Sequence, residues 1–215
     1  MTERVLGTVY EGRDQGRSMI LASSAWFLYI VWVSIADASW SSSMVSALTR
    51  FASLWFFVSA CLIFLGAMPR YLRVPTRLTV VIALIGAVVQ LSGVLKLFQR
   101  VPNFGEFEAT FYIAQLIYAL AVFPFAYCLK NHPLFPKWLA LALTLDAVFW
   151  IAYYWASVNN FAYLIFEILA WGPSLIIEVL TGFYFVRAGL RLSRMAEPES
   201  PSLLKGLSGS GVATY

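Results

Sequence analysis

Apolar residues run along the chain in six long blocks, each parted from the next by a short polar or proline-marked break. A helix rises about 1.5 Å per residue and a bilayer core is about 30 Å thick, so about 20 apolar residues make one span. Residues 19–38, 44–68, 78–98, 107–128, 138–156 and 161–186 meet that length. The breaks carry residues that end helices. Pro69 and Pro75 bracket one, Pro133 and Pro136 another, and Pro102, Asn103 and Gly105 mark a third. Ser41 to Ser43 and Asn159-Asn160 form the other two. The pattern predicts an all-α, polytopic transmembrane bundle of six helices.

Positive residues orient such a bundle, because loops rich in Lys and Arg stay cytoplasmic. Arg4, Arg13 and Arg17 precede the first block. Arg70, Arg73 and Arg77 follow the second, Lys130 and Lys137 flank the break after the fourth, and Arg187, Arg191, Arg194 and Lys205 follow the sixth. The alternate breaks hold only Lys96 and Arg100. Both termini are therefore predicted to be cytoplasmic. The organisation expected is a cytoplasmic N-terminal segment (1–17), a six-span domain (18–194) and a Ser, Gly and Pro-rich disordered cytoplasmic tail (195–215). A signal peptide cleaved after Ala36-Asp37-Ala38 fits less well, since signal cores run about 7–15 residues and this apolar stretch is longer.

Composition agrees with the pattern. Charged residues make up 12% of the chain, half of the roughly 25% of soluble domains. The net charge of +4 is the basic excess that orientation needs, and it does not call for nucleic acid. Cys61 and Cys128 read as small buried hydrophobes. The single histidine, His132, falls in a break, so no span can hold a bis-histidine haem or a histidine-ligated chlorophyll. No Cys/His cluster suggests zinc, and no cofactor is expected.

Two ionisable residues stand out. Asp146 and Glu178 each sit in the middle of an apolar block with no obvious basic partner. A charge at the bilayer centre costs about 3 kcal/mol or more, so such residues are functional candidates by default. Counted from the cytoplasmic ends of adjacent antiparallel spans, both lie roughly 12–13 Å deep, which would let them meet and share a proton. Two neutral acids that merely glue helices together are the plainer alternative. Glu167, Trp171, Ser174, Glu178 and Gly182 fall on one helical face, interrupted by Gly172-Pro173. Trp150 and Tyr153 share a face with Asp146, as an interfacial aromatic belt or as the wall of a pocket.

Gln90 and Gln115 form a second candidate pair, read first as an interhelical hydrogen bond and second as the lining of a cavity with Tyr112 and Tyr118. Asp37 with Arg50, and Lys96 with Glu108, are expected to pair across the outer hairpins. Ala52, Ser59 and Gly66 recur every seven residues, a small-residue stripe suited to a helix partner within the protein, a second copy or a larger membrane complex.

Phe135-Pro136-Lys137-Trp138-Leu139, then Pro173-Ser174-Leu175-Ile176-Ile177-Glu178 and a run ending Val186-Arg187-Ala188-Gly189, together resemble a family of proteins. It is a large family of uncharacterised bacterial six-helix membrane proteins, known only as a domain of unknown function. The resemblance spans about 55 residues of the last third. It implies six spans and a structural or functional place for Glu178, but no activity; the expected location is a bacterial inner (plasma) membrane. Three functions remain open. The first is a transporter or channel handling protons, cations or a small solute through Asp146 and Glu178. The second is a non-catalytic subunit of a larger membrane complex. The third is a membrane-embedded, acid-initiated enzyme acting on a lipid or isoprenoid, and the absence of an Asp-rich diphosphate motif or a nucleophile triad makes enzymatic activity the less favoured reading.

Overall fold

Every apolar block folds as a helix. The computed structural model describes residues 2–38, 44–98, 104–158 and 163–195. The helices are α1 (Thr2–Ala38), α2 (Met44–Ala67), α3 (Arg73–Leu97), α4 (Phe104–Asn131), α5 (Lys137–Val158) and α6 (Tyr163–Met195). A 3-10 turn, Arg70–Leu72, leads into α3. The expected spans lie within these helices to within a few residues, but α1 starts well before its apolar run and α6 continues past its own.

Among the described residues, four helical stretches are long and apolar enough to cross a membrane: Leu48–Ala67, Arg70–Leu97, Gly105–Asn131 and Lys137–Ala156. These fall on α2 to α5. The outer two helices are more polar. Helix α1 carries Arg13, Asp14, Arg17, Ser23 and Ser24, and α6 carries Glu178, Thr181 and Arg187.

Each helix packs against its neighbours in sequence, and α1 also packs against α6, so the six helices close into a ring. Neighbours run antiparallel. On α1 and α6, Ser23 Oγ donates to the Gly182 carbonyl (2.9 Å) and Trp26 Nε1 to the Glu178 carbonyl (2.9 Å), one number rising as the other falls. Further along the same seam the backbones nearly touch. A Cβ on Gly189 would lie 2.8 Å from the Gly16 carbonyl oxygen, and one on Gly16 would lie 2.8 Å from the Gly189 carbonyl oxygen. Only glycine permits that approach.

The ring is filled with aromatic side chains. Trp26 stacks on Phe125 (5.5 Å between centroids) and meets Phe57 and Phe185 at 5.7 and 5.8 Å. Phe185 in turn contacts Phe64, Phe125 and Phe135. All of these are buried. Acyl chains are as apolar as Leu, so hydrophobic transfer does not drive this packing within a bilayer. Dispersion and ring geometry do, at about 0.5–1.5 kcal/mol per aromatic pair.

Two expected surface pairs resolve differently. Lys96 pairs with Glu106 (3.2 Å), while the Glu108 side chain lies outside the described residues. Glu106 stands in the first turn of α4, where a carboxylate also complements the helix dipole. The Asp37 side chain is likewise outside the described residues, and the Arg50 guanidinium sits over the Phe111 ring at 4.9 Å. Gly66, in the small-residue stripe of α2, faces Ser18 of α1 at 3.8 Å from its would-be Cβ. Ala52 and Ser59 are half-buried.

The turn between α4 and α5 is organised by His132. Its Nδ1 accepts the Leu134 N–H (3.3 Å), its carbonyl accepts the Phe135 N–H (3.2 Å), and its ring meets Phe135 edge-on. Burial pushes the imidazole down to about 4, so it is neutral at pH 7, as an accepting Nδ1 requires.

Candidate functional site

The acids lie where α1, α5 and α6 come together. Asp146 on α5 is 4% exposed and Ser174 on α6 is 3% exposed. The Ser174 hydroxyl donates to Asp146 Oδ1, a bond across the two helices. One turn further along α6, half-buried Glu178 accepts a hydrogen bond from the Tyr29 hydroxyl of α1 (3.3 Å) on Oε1. Tyr29 lies within electrostatic reach of Asp146 as well as Glu178. The result is one polar node, Asp146–Ser174 and Glu178–Tyr29, set among aromatic and aliphatic side chains.

The register differs from simple depth counting. Trp150 packs on Trp171 (4.8 Å) and Trp138 on Tyr184 (5.8 Å), and these contacts set α5 against α6. In that register Ser174, not Glu178, stands level with Asp146. Glu178 is four residues on, about 6 Å along the axis. The face predicted for α6 is real, but it is divided between two neighbours. Trp171 and Ser174 contact α5, whereas Glu178 and Gly182 contact α1. Glu167 shares that face in sequence, and its side chain lies outside the described residues.

Helix α6 passes through Gly172-Pro173 without a break. Pro173 has no N–H, so the Leu169 carbonyl one turn back loses its helical donor. The freed carbonyl lies in the same stretch of helix as Trp171 and Ser174.

The aromatic residues beside Asp146 pack on one another. Trp150 stacks on Tyr154 (5.7 Å) and meets Tyr153 and Trp171 edge-on, and Tyr154 contacts Tyr112 of α4. Their rings are thus used in mutual contact. On the opposite side lies the aromatic core, reached through Tyr29, which contacts Trp26 and Phe57.

Gln90 and Gln115 do not bond to each other. Gln90 is fully buried, and neither its amide nitrogen nor its carbonyl oxygen has a hydrogen-bond partner. Across the α3–α4 seam, fully buried Ala114 sets its carbonyl 3.4 Å from a would-be Cβ on Gly86, one turn before Gln90. Gln115 is turned about 100° away from that line and is half-buried.

Tyr29 and Trp26 were not visible as site residues in the sequence. Their helix is separated from α6 by almost the whole chain, and only ring closure brings them to Glu178. The usable signal was Ser23, Trp26 and Tyr29 at three-residue spacing, a polar-tipped stripe along an apolar block.

Among the described residues no group of three or more His, Cys, Asp or Glu is arranged to hold a metal ion. No protein-family model matches the chain, and no curated protein or solved structure is significantly similar to it.

Proposed function

We propose that the chain is an integral membrane protein of six spans, with both termini in the cytoplasm of a bacterium, that passes protons or a small cation through Asp146 and Glu178. One observation carries the reading: Asp146 is 4% exposed, in the middle of an apolar helix, and its partner is a neutral hydroxyl. An ionised carboxylate so placed needs a counter-charge, and a mobile proton or cation supplies one. Glu178 lies one turn away with a phenol as partner, which gives a second station for the same charge. Outward-facing Leu21, Leu28 and Val31 on α1, and Leu175, Ile176 and Phe183 on α6, support lipid contact for these two helices as well.

The test is flux into sealed liposomes containing the purified protein. Proton entry would be followed with a trapped pH dye and monovalent cation entry with an ion-selective dye. Flux is expected with the native protein and lost with Asp146→Asn or Glu178→Gln, each still folded. Flux that survives both substitutions, or native protein that passes neither ion, removes the proposal.

A further inference from the structure

A second polar site lies one aromatic ring away from the acid node, and the acids have no part in it. Gln90 on α3 is fully buried and both atoms of its amide lack a partner. Tyr118 on α4 is 5% exposed, and its hydroxyl also lacks one. The two converge. A Cβ on Gly86 would lie 3.1 Å from Tyr118 Cζ, so the hydroxyl end of that ring sits above Gly86. Gly86 is one turn before Gln90 on the same buried face of α3. Side chains on a helix tilt toward its N-terminus, so the Gln90 amide reaches back over Gly86. The Tyr118 ring fills the space a side chain on Gly86 would take, which brings its hydroxyl to within one turn of the Gln90 amide, and neither reaches the other.

Two donors on the amide nitrogen, the carbonyl lone pairs and the phenol make up the unmet demand. Leaving such groups dry inside a bundle is costly, and buried polar groups almost always find a protein or water partner. We propose that Gln90 and Tyr118 form an internal water site at the seam of α3 and α4. Water both donates and accepts, so one molecule can serve the amide and the phenol together, and it reaches the interior of helical bundles without a wide path. The Phe57 ring of α2 separates this site from the acid node: it packs edge-on to Tyr118 at 5.3 Å and lies 5.5 Å from Tyr29.

Hydroxyl radicals formed from bound water label the side chains that touch it, which makes the site measurable in the intact protein in detergent or nanodiscs. Millisecond X-ray irradiation, followed by mass spectrometry, is expected to oxidise Tyr118 at least about threefold faster than Phe111, which is also buried and slightly more exposed. In H2-18O, the heavy oxygen should appear in the Tyr118 product. Gln90→Leu should bring Tyr118 down to the Phe111 rate, and its unfolding midpoint should stay level or fall. Tyr118 labelling no faster than Phe111 in the native protein would overturn the proposal, and that arm needs no variant to fold. A raised unfolding midpoint in Gln90→Leu would overturn it too, since removing a dry, unpaired amide stabilises.

Discussion

Ser174→Ala isolates the one bond that ties Asp146 to its neighbour. Both residues are buried, and the hydroxyl donates across the α5–α6 seam. Removing it leaves Oδ1 buried without that donor, and alanine opens little space. A neutral hydrogen bond contributes about 0.5–1.5 kcal/mol net, and one to a charged group about 1.5–3 kcal/mol. Hydrogen bonds between membrane helices average about 0.6 kcal/mol and reach about 1.7 kcal/mol. A double-mutant cycle with Asp146→Ala separates the bond from the packing lost with each side chain. The coupling expected is about 1 kcal/mol or more, roughly fivefold in the ratio of folded to unfolded protein. The assay is reversible unfolding in mixed detergent micelles, repeated across pH 5–8. Ionising the acid should raise the coupling toward about 2 kcal/mol, because a charged acceptor binds the hydroxyl more strongly. Coupling below about 0.3 kcal/mol at every pH would refute the argument, as would a Ser174→Ala variant more stable than the native protein.

Other outcomes follow from the packing and the turn. Phe185→Ala removes a fully buried ring that touches Trp26, Phe64, Phe125 and Phe135, and should cost about 3–5 kcal/mol in the same unfolding assay. Gly189→Ala would bring a methyl within 2.8 Å of the Gly16 backbone and should cost about 1–3 kcal/mol; Gly172→Ala, with nothing within 4 Å, should be neutral or gain up to about 1 kcal/mol from helix propensity. His132 sits near 4 when folded and near 6.5 when unfolded, so the unfolded chain binds the extra proton between those values. Stability should be full above about pH 6.5 and fall as pH drops toward 4, and His132→Gln should flatten that slope; an unchanged slope would remove the role given to His132.

Helix positions were legible in the sequence because length and apolarity alone define them, and Pro69, Pro133 and Pro136 marked their ends. Asp146, Glu178, Ser174 and Trp171 were legible as one neighbourhood because a short connection joins α5 to α6. Their pairing was not. Depth counting assumes helices that begin level, whereas the Trp150–Trp171 and Trp138–Tyr184 contacts displace the register by one turn. Tyr29 was missed for a different reason. Its contact with Glu178 spans 149 residues, and no local pattern reports which distant helices adjoin. Gln90 and Gln115 were read as an interhelical hydrogen bond, but whether Gln115 points into the α3–α4 seam depends on a helix rotation that hydropathy does not fix.

The closed ring also sets an order of assembly. Helix α1 emerges first from the ribosome and α6 last, yet the two share a seam. Until α6 is made, Trp26 and Tyr29 have no Glu178 to bond and Gly16 has no Gly189 to meet. The acid node therefore exists only once α6 has been made. A nascent or truncated chain ending before α6 holds Asp146 in its membrane segment with no Ser174 beside it. Its carboxyl then lacks the hydroxyl that satisfies it in the finished bundle.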